Sequence, residues 1–285
     1  CPFCNARKTK KHGKQLDIQR YRCNTCKRTF SSKRRDKRVR QKLLHDYVWQ
    51  RQTLGQLANK SGRSSRWVRT QLDETERTTS LLTPRPTVVA ADTTFWGRRY
   101  GVTVFRSPIL KRNLWWEETE QETPEIYARG YVALKESGWR IQAAVLDGKR
   151  GIAKVFWDVP VQMCHFHQVK TITKYLTRKP QSIAAQELRM ITLTLARTDE
   201  DTFRSRLAAW DERHRKFLDE HTPCGFCKRK HFIHRRLRSA RHSLKLNLPY
   251  LFTYQKYPEL HIPNTTNCLD GMFSQLKNRI AVHRG

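Results

Sequence analysis

Between Pro86 and Gly97 the chain reads TVVAADTTFWG, and Val88, Val89, Ala90 and Ala91 run straight into Asp92. A continuous apolar run of this length, bounded by Pro and Gly, predicts a strand buried on both faces. Residues 100–105 alternate as a second strand and residues 113–117 as a third. Residues 122–138 then place Tyr127, Tyr131 and Leu134 on one helical face. Residues 141–147, IQAAVLD, repeat the first pattern, an apolar strand ending in Asp147 with a Gly-flanked turn at Gly148 and Gly151. Residues 159–164 (VPVQMC) predict a further short strand, leading into a helix from about Phe166. Strands interleaved with helices predict an α/β domain whose sheet is at least partly parallel.

The flanks differ. Upstream, Val39, Leu43, Leu44, Tyr47 and Val48 fall at helical spacing. Thr53 with Gln56 forms a capping-box pattern for a short helix through Leu57 and Ala58. Ser61-Gly62 predicts a turn, and Ser64 caps a third helix carrying Trp67, Val68 and Leu72. A Gly-containing turn between helices, with Ser65, Arg66, Arg69 and Thr70 left outward, reads as a helix-turn-helix rather than a plain helical hairpin. Thr83 to Pro86 forms a stiff polar linker. Downstream, residues 181–258 are dominated by helical patterns, at 184–195 and 203–217, and read as a helical insertion. Trp210 reads there as core rather than as a base-stacking residue. Residues 246–254 are apolar, and Thr266 or Asn267 caps a last helix with Leu269, Phe273, Leu276 and Ile280 on one face.

Composition adds a partner. The 285 residues carry 57 Lys and Arg against 25 Asp and Glu, a formal charge of +32. An excess of this size repels the folded chain from itself unless a polyanion is present, which points to nucleic acid. No apolar run approaches the roughly 18 residues of a spanning helix, and no signal peptide opens the chain. The expected setting is therefore cytoplasmic, without a membrane partner. The chain starts at Cys1 without an initiator Met, and reads as a window of a longer protein.

Cys1, Cys4, Cys23 and Cys26 form a C-x2-C-x18-C-x2-C pattern. Each pair is a knuckle presenting two thiolates, and two knuckles fill the tetrahedral shell of Zn²⁺. A segment this small, with only Phe3, Tyr21 and Phe30 as apolar cover, draws its folding energy from the metal. Residues 1–40 hold 15 Lys and Arg against two Asp, densest at 33–38. Arg34, Arg35 and Arg38 thus read as a phosphate-contacting arm beside the ribbon. Cys224, Cys227, His231 and His234 are a candidate second zinc set, C-x2-C-x3-H-x2-H, in a basic stretch where residues 228–245 hold eight Lys and Arg and no acid. A reduced cysteine pair in a basic helical region is the competing reading.

Asp92 and Asp147 end two similar strands, and the ends of parallel strands converge on one site. Two carboxylates brought close repel unless a cation lies between them. Mg²⁺ suits such oxygen ligands, and a pair of ions activates a water or a 3′-hydroxyl for phosphodiester chemistry. Asp270, in the first turn of the last helix, is the best-placed third acid; Glu259 lacks the helical setting. The ADTT and LDG strands, the MCHFH segment and the TTNCLDGMFSQLKNRIAVHRG terminus together resemble Mutator-type DDE transposases of bacterial insertion sequences, over about residues 87–285.

The resemblance implies an RNase H-like catalytic domain with a helical insertion, preceded here by the zinc ribbon (1–36) and helix-turn-helix (37–80), the catalytic domain being 81–285. It implies Asp92, Asp147 and Asp270 as the catalytic acids on Mg²⁺ or Mn²⁺. It also implies double-stranded DNA as partner, both terminal inverted repeats and target, in a nucleoid-associated protein expected to act as a homo-oligomer on DNA. Cys164 and His167 match the family's CxxH signature, with a structural or orienting role near the site. The family's third acid is normally Glu, one methylene longer than Asp270. A catalytically impaired, transposase-derived DNA-binding protein is therefore the alternative, and a structure-selective RNase H-like nuclease a third.

Overall fold

The computed structural model describes residues 1–15, 18–31, 34–75, 82–223 and 230–283. The chain divides into two units, Cys1–Leu81 with Ser274–Gly285, and Leu82–Phe273.

In the first unit, β1 (Thr9–Gln15), β2 (Ile18–Cys23) and β3 (Thr29–Ser31) form an antiparallel sheet in that order. Tyr21 and Phe30, opposite each other in register, stack with centroids 5.8 Å apart and supply its apolar cover. The helices α1 (Arg34–Val48), α2 (Leu54–Ser61) and α3 (Ser65–Asp73) follow. The basic run expected as an arm thus enters a helix at Arg34, because Arg and Lys are good helix formers and lead directly into the apolar periodicity behind them.

The Thr53–Gln56 capping box forms in both directions, with Thr53 N–H donating to Gln56 Oε1 at 2.8 Å. Gly62 closes α2 at φ 63°, a left-handed position that glycine takes without a Cβ penalty. Ser64 Oγ accepts from Trp67 N–H at 3.2 Å and caps α3. Leu43, Leu57, Ala58 and Val68 form the core of these helices, bordered by Tyr47, Leu54, Trp67 and Leu72. Val39 and Leu44, expected on the packed face of α1, are exposed instead. Three short helices bury only one narrow seam of α1, that of Leu43 and Tyr47. In the same unit His283 stacks on Tyr47 at 3.8 Å, and Arg279 lies 3.9 Å over Trp49.

The second unit is α/β. Strands β4 (Pro86–Trp96), β5 (Tyr100–Ser107) and β6 (Arg112–Thr119) are followed by helix α4 (Pro124–Glu136), then β7 (Arg140–Leu146) and β8 (Val161–Met163). They form one mixed sheet of order β6-β5-β4-β7-β8, antiparallel from β4 outward through β5 and β6, parallel from β4 through β7 to β8. Helix α5 (His165–Leu176) leads into a helical region: α6 (Ile183–Leu193), α7 (Glu200–Arg213), α8 (Arg215–Leu218), a hairpin of β9 (His221–Pro223) and β10 (Lys230–Phe232), α9 (Arg235–Leu251) and α10 (Thr253–Lys256). Helix α11 (Asn267–Ile280) comes last.

Strand alternation distributes the apolar runs between two layers. Val89, Ala91, Ala144 and Leu146 face the layer of Ile126, Tyr127, Tyr131 and Leu134 from α4. Val88, Ala90, Ala143 and Val145 face Leu269 and Phe273 of α11. The helical region has its own core around Phe203, Leu207, Trp210, Leu237 and Leu244. Trp210 is buried as expected, its indole N–H donating to Ala184 O at 2.9 Å.

Two expectations need correction here. Residues 246–251, read as a separate apolar segment, continue α9 through Pro249, because Leu248 and Leu251 extend the buried stripe Leu237–Ala240–Leu244 at helical spacing. The helix expected over 203–217 breaks at His214, which is held by Glu187 at 2.8 Å.

Candidate metal centres

Asp92 follows Ala90 by two residues on β4, as Asp147 follows Val145 on β7, and Ala90 and Val145 are register partners in the parallel pair. Parallel pairing therefore brings the two acids together where β4 and β7 part, although β4, expected to end at Asp92, runs on to Trp96 along β5. Asp92 is only 8% exposed, and its Oδ1 accepts from Thr93 N–H at 2.7 Å. Burial first, and the neighbouring Asp147 second, push its carboxyl up to about 7. Asp147 Oδ1 accepts from Lys149 N–H at 2.9 Å across a tight turn. Gly148 takes φ +86° in that turn, and a Cβ there would collide with the Met163 side chain.

The three expected acids do not gather as a single group. They divide between two groups that share Asp92, and in each group the ligand atoms lie within 4.8 Å of one another: Asp92 with Glu122 and Asp147, and Asp92 with His167 and Asp270. Glu122 was not among the expected site residues. It precedes α4, its Oε1 accepts from Tyr127 O–H at 2.7 Å, and Lys149 Nζ lies 3.0 Å from its Oε2 and 2.6 Å from its backbone carbonyl. Tyr127 in turn lies 3.2 Å from Thr93 Oγ1, and burial beside Glu122 holds its hydroxyl firmly protonated.

On the other side, the start of α5 meets the start of α11. The N–H and O–H of Thr266 reach Cys164 Sγ at 3.3 and 3.4 Å, and Thr266 Oγ1 lies 3.3 Å from His167 Nδ1. Burial would raise the Cys164 thiol, but hydrogen bonds from His167 and Thr266 outweigh it and lower its pKa. His167 is raised, chiefly by Cys164 and then by Asp92 and Asp270. Cys164 and His167 are thus both tied to Thr266, and His167 also lies among the acids. Asp270 Oδ2 is buried with no hydrogen-bond partner. An unpartnered carboxylate oxygen facing two further ligands fits a divalent cation, as do the oxygen and nitrogen donors around it.

A groove of about 970 Å³ opens past the turn that follows Asp147, at Gly148 and Lys149, and none of the candidate ligands lines it. Lys149, Arg150 and Lys154 line one side, and Arg238, Arg241 and His242 of α9 the other.

The four N-terminal cysteines form one cluster. Cys1 and Cys26 Sγ are 3.6 Å apart, and Cys4 and Cys23 Sγ are 3.5 Å apart. Tetrahedral thiolates about 2.3 Å from Zn²⁺ stand roughly 3.8 Å from each other, so the set fits that ion. The backbone N–H of Cys26 is the largest of the influences that lower the Cys23 thiol to about 6, toward the thiolate that a metal requires.

For the second zinc set, Cys224 and Cys227 lie outside the described residues. His231 lies in β10. His234 is engaged elsewhere, 2.9 Å from Glu220 Oε2 and stacked 3.6 Å from Phe217. Of the expected DNA contacts, Arg38, Ser65, Arg66 and Arg69 are exposed, while the side chains of Arg34 and Arg35 lie outside the described set. Among the described residues, no helix is long and apolar enough to cross a membrane. Set against models of known protein families and against curated proteins, the chain matches none.

Proposed function

We propose that this chain is a metal-dependent DNA transposase of the Mutator-type DDE class, acting on double-stranded DNA in the cytoplasm, at the nucleoid. The observation that carries the reading is the Asp92 carboxylate, shared between two adjacent ligand groups where the parallel pairing of β4 and β7 ends. The sheet order is compatible with an RNase H-like fold, and a helical region separates its last strand from the helix bearing Asp270, in keeping with the resemblance.

In this reading water attacks a phosphodiester at each transposon end and releases a 3′-hydroxyl. That hydroxyl then attacks a phosphodiester of target DNA, displacing the target's own 3′-oxygen. Divalent ions, when bound, activate the attacking oxygen and stabilise the leaving one. Asp92, Asp147 and Glu122 would hold one ion, and Asp92 with Asp270 and His167 the other. Tyr127 and Lys149 fix the Glu122 carboxylate, and Lys149, Arg150 and Lys154 offer cationic contacts to a phosphate backbone in the groove. The four-cysteine cluster with Zn²⁺ would stabilise a ribbon, and α2 and α3 would act as a helix-turn-helix reading the ends, with the protein working as a homo-oligomer.

Purified protein with Mg²⁺ or Mn²⁺ is expected to cut transposon-end DNA, and Asp92→Ala or Asp147→Ala to abolish cutting while end binding persists. Unchanged cleavage in both variants overturns the assignment. End binding without cleavage by the unaltered chain with either ion would favour the catalytically impaired alternative.

A further inference from the structure

The two ligand groups differ in kind. Asp92, Glu122 and Asp147 offer oxygen alone, whereas Asp92, Asp270 and His167 offer two carboxylates and an imidazole. The imidazole is held by its surroundings. Cys164 and Thr266 are fully buried, and Thr266 engages both Cys164 Sγ and His167 Nδ1. The backbone adds a third tie, His165 N–H to Asn264 O at 2.9 Å. Cys164 stands one turn before His167, and Thr266 one turn before Asp270, so a single buried network fixes both ligand-bearing helix starts. A neighbour that engages one ring nitrogen and presents the other is the usual support of a metal-binding histidine. Asp270, a member of the same ligand group, has a buried oxygen, Oδ2, without a hydrogen-bond partner.

We propose that this half of the centre selects a first-row transition ion of the Mn²⁺ kind over Mg²⁺, with His167 as nitrogen ligand and Thr266 and Cys164 as positioning residues. The inference rests on reading the Asp92 cluster as a metal centre. Mg²⁺ is a hard ion that takes oxygen ligands and sheds its waters reluctantly. Imidazole suits transition ions, and Mn²⁺ accepts carboxylate and imidazole together.

The full chain, with its cysteine cluster loaded with Zn²⁺ and free zinc removed, is titrated with Mn²⁺ while the electron paramagnetic resonance signal of free Mn²⁺ is followed. The expected result is one bound Mn²⁺ that Mg²⁺ in about 100-fold excess fails to displace. Its spin-echo spectrum carries modulation from a directly bonded nitrogen. His167→Gln loses both properties and Glu122→Gln keeps them. Thr266→Val weakens the retained ion by about 10- to 100-fold. The nitrogen signal is read on the unaltered protein, so the test does not depend on any variant folding. Mn²⁺ that Mg²⁺ displaces completely, or that shows no nitrogen, overturns the inference and leaves the metal-centre reading intact. Failure of the unaltered chain to bind either ion overturns the reading beneath it.

Discussion

Burial and Asp147 together hold the Asp92 carboxyl at about 7, far above its value in an unfolded chain. The folded protein therefore retains a proton there that the unfolded chain releases near pH 4. Stability from this group is complete below that pH and is lost as pH rises toward 7. In chelator, the melting temperature is expected to fall between pH 5 and 8, and added Mn²⁺ or Mg²⁺ to remove the fall. A flat profile in chelator would show that Asp92 has no such demand for positive charge. Glu122→Gln keeps a partner for Tyr127 but removes a charged ligand. It is expected to lower Mg²⁺ affinity and cleavage by about 10- to 100-fold, measured by calorimetry and strand scission. Glu122 was illegible in the sequence for a plain reason. It lies among Glu117, Glu118, Glu120 and Glu125, and no spacing separates it from these acids outside the site. Only the turn from β6 into α4 brings it to Asp92.

At the scale of elements, the apolar runs leading into Asp92 and Asp147 were readable because a buried parallel strand needs an uninterrupted apolar run, whereas the continuation of β4 past Asp92 to Trp96, paired with β5, was not. Both Ser and Thr helix caps of the first unit were equally readable, since capping is local chemistry. What the sequence did not expose is how the helical region attaches to the sheet. Gln162, wholly buried on β8, donates to Leu251 O at 2.9 Å and accepts from Tyr254 N–H at 2.9 Å, while His165 also reaches Leu251 O, at 2.6 Å. These partners are more than 80 residues apart, a separation that periodicity cannot bridge. Gln162→Leu strands the partly buried Tyr254 N–H and is expected to cost about 1–3 kcal/mol of stability in urea unfolding. If unfolding is unchanged, water replaces the lost partner and the lock is not structural.

Over the whole molecule, several of the acids are engaged in internal pairs. Asp211 engages both Arg241 and Lys245, Glu200 both Arg204 and Lys256, and Glu187 both Arg213 and His214. A formal charge of +32 leaves a large positive excess, and a polyanion is the counterpart proposed for it. Each phosphate neutralised releases condensed counterion, so affinity for duplex DNA falls steeply with salt. A footprint of six or more phosphates gives a log–log slope of about −5 or steeper, which fluorescence anisotropy between 50 and 200 mM salt resolves. Arg66→Ala and Arg69→Ala, exposed on α3, should each reduce the slope by about one if they touch phosphate. If Zn²⁺ holds the four cysteines as proposed, stripping it should reduce the slope further, because the basic strands β1 and β2 would lose the metal that helps fold them. A slope shallower than about −2 in the intact protein would mean that the charge serves something other than duplex DNA, and the nucleic-acid reading would fall with it.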